Sequence, residues 1–309
     1  MIRIALVGVG HIARHEHLPA LRDHPAFRVV AVVSPVPVSL DLPVFTSIEA
    51  LIESRTAIDA VSICTPPDCR YDLACKAIAA GWHVLLEKPP TLTRSQGQIL
   101  SDLAKQKRCT LFSAWHSVYA AAIAPLQTIL REHDPVAVKV AWKENADKWH
   151  PGAEWLWRPG ALGVFDAGIN ALSILCAVSA EPIVYCAAKL DFFGGQQAPA
   201  RAVLDLAGGY TACPVQAVFD WRHDPSSEIW TICWTMSDGR DLTLTQGGAC
   251  LADGGKPVAL PHVREYAGVY DHFAALIALG TSLLDLRPLD LVTEALAFGT
   301  RVHFYDSTG

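Results

Sequence analysis

Residues 2–7 form a short β-branched apolar run that passes directly into Gly8-Val9-Gly10-His11-Ile12-Ala13, and helical periodicity follows at 13–23. No other feature restricts the fold of this chain as much. A strand, a glycine turn and a helix in that order predict the first βα junction of a parallel sheet. Gly8 permits the tight turn, Gly10 lets the backbone approach a bound group, and Ala13 allows close helix packing. The helix start adds free N–H groups and the positive end of the helix dipole, which suits the pyrophosphate of a dinucleotide. The alternation continues, with buried strands predicted at 27–33, 60–64, 83–86 and 110–113 and helices at 47–55, 69–80 and 93–107. Such alternation argues for a parallel sheet covered on both faces. The segment 35–43 holds three prolines and must be a loop.

The second half reads differently. Strands are predicted at 136–142, 183–192, 202–206, 213–219, 229–236 and 241–244, with a helix after Asp166 and further helices at 265–280 and 288–303. A chain of 309 residues favours two domains. The expectation is an α/β Rossmann domain, a doubly wound parallel sheet, over 1–118. An α+β domain with a large, mostly antiparallel open sheet follows over 119–309, its last helix returning toward the first domain.

Composition excludes several function classes. The chain is 51% apolar with a net charge of −6, so it offers no basic field for nucleic acid or an anionic membrane surface. No run approaches the ~18 apolar residues of a membrane helix, and Met1-Ile2-Arg3 enters the first strand without a signal-peptide layout. A cytoplasmic protein is expected. Nine cysteines, none in a C-x-x-C pair, read as buried structural thiols, and the scattered histidines predict no metal.

The second strand ends Val32-Val33-Ser34-Pro35 without the Asp or Glu that would bind ribose hydroxyls and repel a 2′-phosphate. NADP is therefore expected to be accepted alongside NAD, with the Ser34 hydroxyl as a donor to the phosphate. Two more loops fall at carboxyl ends of predicted strands, where ligands bind in open α/β sheets. They are Thr65-Pro66-Pro67 and Glu87-Lys88-Pro89. Taken alone, a loop lysine is ordinarily solvated surface.

The glycine turn, the Thr-Pro-Pro loop and Glu87-Lys88-Pro89, in that order and at these distances, resemble the Gfo/Idh/MocA oxidoreductase family. Within Gly163-Val164-Phe165-Asp166-Ala167-Gly168-Ile169-Asn170, the last five residues are similar to the D-x-G-x-H of the family's helix start, with Asn170 in place of the histidine. That departure, with Trp142-Lys143-Glu144, Trp149-His150-Pro151-Gly152 and Phe219-Asp220-Trp221, resembles a narrower group of bacterial L-arabinose and D-galactose 1-dehydrogenases.

The resemblance implies oxidation of an aldopyranose at C1 to the aldonolactone, with NADP or NAD as acceptor. Lys88 and Asp166 would be the catalytic pair, the choice of proton acceptor between them staying open. Glu144, Trp149, His150, Asn170, His116 and Trp230 would contact the sugar. Gly8, Gly10, His11, Ile12, Ser34, Thr65, Pro66, Pro67, Glu87 and Lys88 would contact the cofactor. By residue type alone, a strand-end Glu is ordinarily solvated, a lone His structural, and a tryptophan cluster core packing. The family's use of the open sheet face implies a homodimer. A cyclitol or other sugar oxidoreductase, and a cofactor-binding regulator without catalysis, are the competing readings.

Overall fold

The computed structural model describes residues 1–149, 151–210 and 213–305. Two compact units emerge: residues 1–119 with 263–286, and 120–262 with 287 onward. The assignment of 263–286 differs from the expectation above, which left this segment in the second domain. Its helix, Glu265–Leu279, buries Tyr266, Val269, Tyr270 and Phe273 in the core of the first unit. Apolar periodicity marks a face but does not name what the face packs against.

In the first unit, β1 (Ile2–Val7), β2 (Phe27–Val33), β3 (Val44–Phe45), β4 (Ala60–Ile63), β5 (His83–Glu87) and β6 (Leu111–Ala114) form one parallel sheet in the order β3-β2-β1-β4-β5-β6. β3 is an addition to the sequence reading, too short to carry a pattern. Side chains of β1 alternate between two cores. Ala5 and Val7 face Ile48, Ala74, Ile78 and Leu100, whereas Ile4 and Leu6 face Leu21, Val269 and Phe273. Both faces are covered, so these strands read as continuous apolar runs. Phe273 stacks between Phe27 and Phe112 at 5.9 and 6.0 Å, and burying each such ring stabilises the unit by about 1.5–3 kcal/mol.

Local chemistry sets the helix ends. Ser47 and Thr93 accept the backbone N–H groups of Ala50 and Gln96, capping Ile48–Glu53 and Arg94–Lys107. Pro67 opens Pro67–Ala79 at a position where a missing N–H costs nothing. The helix after the glycine turn widens into a π-helical turn at Ala13–His17 before continuing as Leu18–Asp23.

In the second unit, β7 (Pro135–Lys143), β8 (Ile183–Phe193), β9 (Arg201–Gly208), β10 (Pro214–Asp220), β11 (Ile229–Met236), β12 (Asp241–Thr245), β13 (Cys250–Asp253), β14 (Lys256–Pro257) and β15 (Thr300–Phe304) form a sheet ordered β14-β13-β12-β11-β7-β10-β9-β8-β15. All neighbours are antiparallel except β7 with β10 and β8 with β15. The helix predicted over 288–303 therefore ends early. It spans Arg287–Phe298, and 300–304 is a strand. One face of the sheet buries Val140, Phe219, Leu204 and Trp234, and the helix Phe165–Val178 is almost wholly buried. On the opposite face Gln216 lies beside Lys139 and Asp205, so the middle of the outward row is polar.

No disulfide joins the nine cysteines among the described residues. Cys64, Cys109, Cys176 and Cys213 are buried, Cys69, Cys75 and Cys233 half-buried, and Cys186 and Cys250 exposed, so the reading as buried thiols holds for only part of the set. Among the described residues no helix is long and apolar enough to cross a membrane.

Candidate active site

Every strand of the first sheet runs the same way, so the loops after β1, β2, β4, β5 and β6 gather at one edge. β1 and β4 are neighbours whose connections leave in opposite directions, which is the crevice where open α/β sheets bind ligands. Gly8 sits there at φ +90°, and a Cβ on it would lie 2.8 Å from Thr65 Cγ2 and 3.0 Å from the Thr65 nitrogen. A Cβ on Gly10 would meet nothing within 4 Å. The turn is thus tight beneath and open above, a cradle that fits a dinucleotide's pyrophosphate at the start of helix 11–23. Thr65 Oγ1 is buried without a hydrogen-bond partner among the described residues.

The other residues expected at the cofactor are disposed unevenly. His11 is exposed and stacks on His15 at 4.0 Å, while Ile12 packs against the core. Pro66 is exposed and Pro67 buried. Ser34 is buried, and its hydroxyl donates to the Val36 carbonyl at 2.7 Å while its N–H donates to Phe45. Both of its donors are thus committed, the hydroxyl within the loop and the N–H to β3.

Glu87, also expected at the cofactor, is only 3% exposed. Its Oε1 accepts from His17 Nε2 at 3.0 Å and from the Tyr266 hydroxyl, and its Oε2 accepts the Lys88 N–H at 2.8 Å. Burial opposes charge on this carboxylate, yet His17 foremost, then His116 and Arg70, drive it far below the usual carboxylate range. Burial likewise opposes charge on His17, and Cys64, Tyr270 and Glu87 outweigh it, holding the ring well above its usual range. Lys88 itself is half-buried. His116 opens the turn after β6, pairs through Nδ1 with Glu265 and stacks on Tyr266 at 5.4 Å. One helix, Glu265–Leu279, therefore supports both Glu87 and His116. None of His17, Tyr266 and Glu265 was a candidate from sequence. Their one local trace is that Tyr266 and Tyr270 stand four apart on one helical face.

In the second unit, Glu144 follows β7 and is 6% exposed. Its two oxygens accept the indole N–H groups of Trp221 at 2.7 Å and Trp230 at 2.8 Å. Trp230 pairs across the strands with Trp142, their rings 6.1 Å apart, and Trp149 tilts against it at 5.5 Å. Trp149 is 47% exposed, and its N–H donates to Glu228, which also binds Lys148 at 2.6 Å. The Trp149 and Trp230 N–H groups are thus bonded to carboxylates, which leaves ring faces to meet a ligand. Trp221 and Glu228 are additions to the sequence reading.

Asp166 is buried in the first turn of Phe165–Val178, and Asn170 is half-buried one turn on. Gly168 lies between them because Phe219 packs where its Cβ would be, 2.9 Å away. His150 lies outside the described residues. Among those described, no group of His, Cys, Asp and Glu could hold a metal ion.

A dinucleotide cradle at the switch point of a parallel sheet, a lysine loop on a buried glutamate, and a separate sheet unit carrying acid and amide groups define a nicotinamide-dependent oxidoreductase. Residues 2–115 match the family model for Gfo/Idh/MocA oxidoreductases with an NAD-binding Rossmann fold. The chain is 38% identical over 308 residues to a galactose 1-dehydrogenase from Pseudomonas fluorescens, covering 99% of each protein. A crystal structure of a D-galactose-1-dehydrogenase from Rhizobium etli superposes with a TM-score of 0.93 at 38% identity, over 98% of this chain and 97% of that one. A 3-ketoreductase from Actinomadura kijaniata, in complex with NADP and TDP-benzene, shares the fold with a TM-score of 0.86 at 18% identity, over 98% and 99% of the two chains. The chain belongs to the Gfo/Idh/MocA family.

Proposed function

We propose that this protein is an NAD(P)-dependent aldose 1-dehydrogenase that oxidises C1 of a galacto-configured aldopyranose to the aldonolactone. L-Arabinose, D-galactose and D-fucose share configuration from C2 to C4, so one pocket admits all three. The observation that carries the reading is the full-length 38% identity to a galactose 1-dehydrogenase. The chemistry of the second unit supports it. Glu144 offers a carboxylate between indole rings, an acceptor for sugar hydroxyls beside surfaces that pack on pyranose C–H groups.

When bound, the oxidised nicotinamide supplies the acceptor for the hydride that leaves C1. The chain's own residues handle the proton. Lys88 hydrogen-bonds the C1 oxygen and stabilises charge developing there, and Asp166 shares the hydroxyl proton with it. Asn170, an amide that does not titrate, orients the sugar. Glu144, Trp149, Trp230, His150 and His116 complete the sugar contacts. Gly8, Gly10, His11, Ile12 and Thr65 to Pro67 hold the dinucleotide. With no carboxylate at the end of β2 and both Ser34 donors already in use, NADP is accepted without strong preference over NAD. The dimer implied by the family belongs to this reading, and light scattering checks it.

The test is reduced-nicotinamide absorbance with a panel of aldoses and cyclitols, each against NAD and NADP. Turnover of galacto-configured aldoses is expected. Cofactor binding without any aldose turnover would refute the reading. Lys88→Ala should lower kcat by about 10²–10⁴-fold while the cofactor still binds.

A further inference from the structure

The lysine loop is fixed by groups that the reaction above leaves without a task. Glu87 reaches inward from the last residue of β5, and its two carboxylate oxygens work in opposite directions. Oε1 is held from within by His17 at 3.0 Å and Tyr266, and Oε2 holds the backbone N–H of Lys88 at 2.8 Å. Arg70, 5% exposed, grips the same loop through its carbonyls. Its Nη1 donates to Glu87 at 2.9 Å and to Pro89 at 2.5 Å, and its Nε donates to Thr65 at 2.8 Å. The residues on either side of Lys88 are thus tied to one guanidinium, and Lys88 itself to one carboxylate.

The proton arrangement beneath is consistent. The Tyr270 hydroxyl lies 3.2 Å from Ser62 Oγ and 2.6 Å from His17 Nδ1, and that Nδ1 also has Ser62 Oγ at 3.3 Å. His17 Nε2 faces the acceptor-only carboxylate and must donate. Burial opposes charge on the ring, but Cys64, Tyr270 and Glu87 hold it well above its usual range, so the form that fits this pocket is the imidazolium, facing the carboxylate through Nε2 and Tyr270 through Nδ1. The buried pair is then a cation and an anion with their remaining valences met by tyrosine hydroxyls and a backbone N–H, the condition under which a buried pair holds one geometry.

We propose that His17 and Glu87 are positioning residues for Lys88, an imidazolium–carboxylate pair that fixes the lysine's backbone and so the direction in which its side chain leaves the loop. This rests on the catalytic reading of Lys88 above. Neither side chain touches substrate. They act through the geometry of the group that does, and small misplacement of such a group lowers kcat far more than affinity.

The experiment uses the full chain and compares Glu87→Gln with Tyr266→Phe. Tyr266→Phe removes one donor to the carboxylate and keeps the ring, so it provides a folded variant where Glu87→Gln fails to fold. Hydrogen exchange of the backbone around Lys88 is read first, because it does not depend on turnover. Faster exchange of that loop is expected in both variants. Steady-state kinetics on the folded fraction should then show kcat lowered by about tenfold in Glu87→Gln and less in Tyr266→Phe, with sugar KM and cofactor affinity within about threefold. Unchanged loop exchange, or unchanged kcat per folded molecule with only a lower melting temperature, would overturn the proposal. Normal turnover of Lys88→Ala would instead sink the reading of Lys88, and loop exchange would still decide whether Glu87 fixes its backbone.

Discussion

Trp230 donates its indole N–H to Glu144 Oε2 at 2.8 Å, in a strand pair that also sets Trp230 against Trp142. With Trp221 on the other oxygen, a carboxylate that would ordinarily sit in water is held inside an aromatic wall. Removing it leaves two indole N–H groups without their acceptor, and each unsatisfied donor costs about 1–3 kcal/mol. Glu144→Ala should lower unfolding stability by roughly 2–4 kcal/mol in urea, and Glu144→Gln by less, since the amide oxygen still accepts from one indole. Both variants should raise sugar KM. Wild-type stability in Glu144→Ala would show that the carboxylate is not what holds the two rings.

The glycine turn separates folding from binding at adjacent positions. Gly8→Ala brings a Cβ to 2.8 Å from Thr65 at φ +90° and should cost about 1–3 kcal/mol of stability together with cofactor affinity. Gly10→Ala places its Cβ in open space. Its stability should stay within ~0.5 kcal/mol of wild type while cofactor affinity falls by tenfold or more, about 1.4 kcal/mol. Paired urea and cofactor titrations check both. Equal binding by Gly10→Ala and wild type would move the pyrophosphate elsewhere.

The His17–Glu87 pair gives stability a pH window. His17 faces Glu87 from β5, Ser62 and Cys64 at the end of β4, and Tyr266 and Tyr270 from their helix. Its folded value lies above the ordinary 6.5, so its contribution is complete below 6.5 and is lost as pH rises through the folded value. Glu87 lies below the ordinary 4.5, so its contribution is complete above 4.5 and is lost as pH falls through the folded value. Urea midpoints should therefore decline on the alkaline side of neutrality, and Glu87→Gln should flatten that decline. An equal slope in wild type and Glu87→Gln would mean that another group titrates.

The reach of the sequence follows from range. β1, β2 and β11 are predicted to the residue, the first two because strands covered on both faces are continuous apolar runs and β11 because its run ends at turn signals. Thr300–Phe304 escaped because apolar spacing from Arg287–Phe298 flows into it, and the alternation Arg301-Val302-His303-Phe304 is too short to stand out from that run. The glycine turn was legible because its chemistry is local. The partners of Glu87 were not, since His17 and Tyr266 lie 70 and 179 residues away. Trp221 and Trp230 lie 77 and 86 residues from Glu144 and left no more trace.

Gly163 sets how the helix bearing Asp166 and Asn170 begins. It sits at φ +54°, and a Cβ there would lie 2.3 Å from the Pro199 carbonyl oxygen. That oxygen also accepts the Val164 N–H at 2.8 Å, and the Gly163 carbonyl accepts the Asp166 N–H at 2.9 Å. Gly163→Ala must therefore break the entry bond or push the 198–199 loop away, on top of the strain of a left-handed alanine. The expected loss is roughly 2–4 kcal/mol in urea. Gly160→Ala is the control, with φ +82° and open space around its Cβ, so only the backbone strain of about 1–2 kcal/mol remains. In the folded fraction of Gly163→Ala, kcat should fall more than in Gly160→Ala, because only the former displaces the turn from which Asp166 projects. Equal losses in the two variants would separate the helix entry from the chemistry.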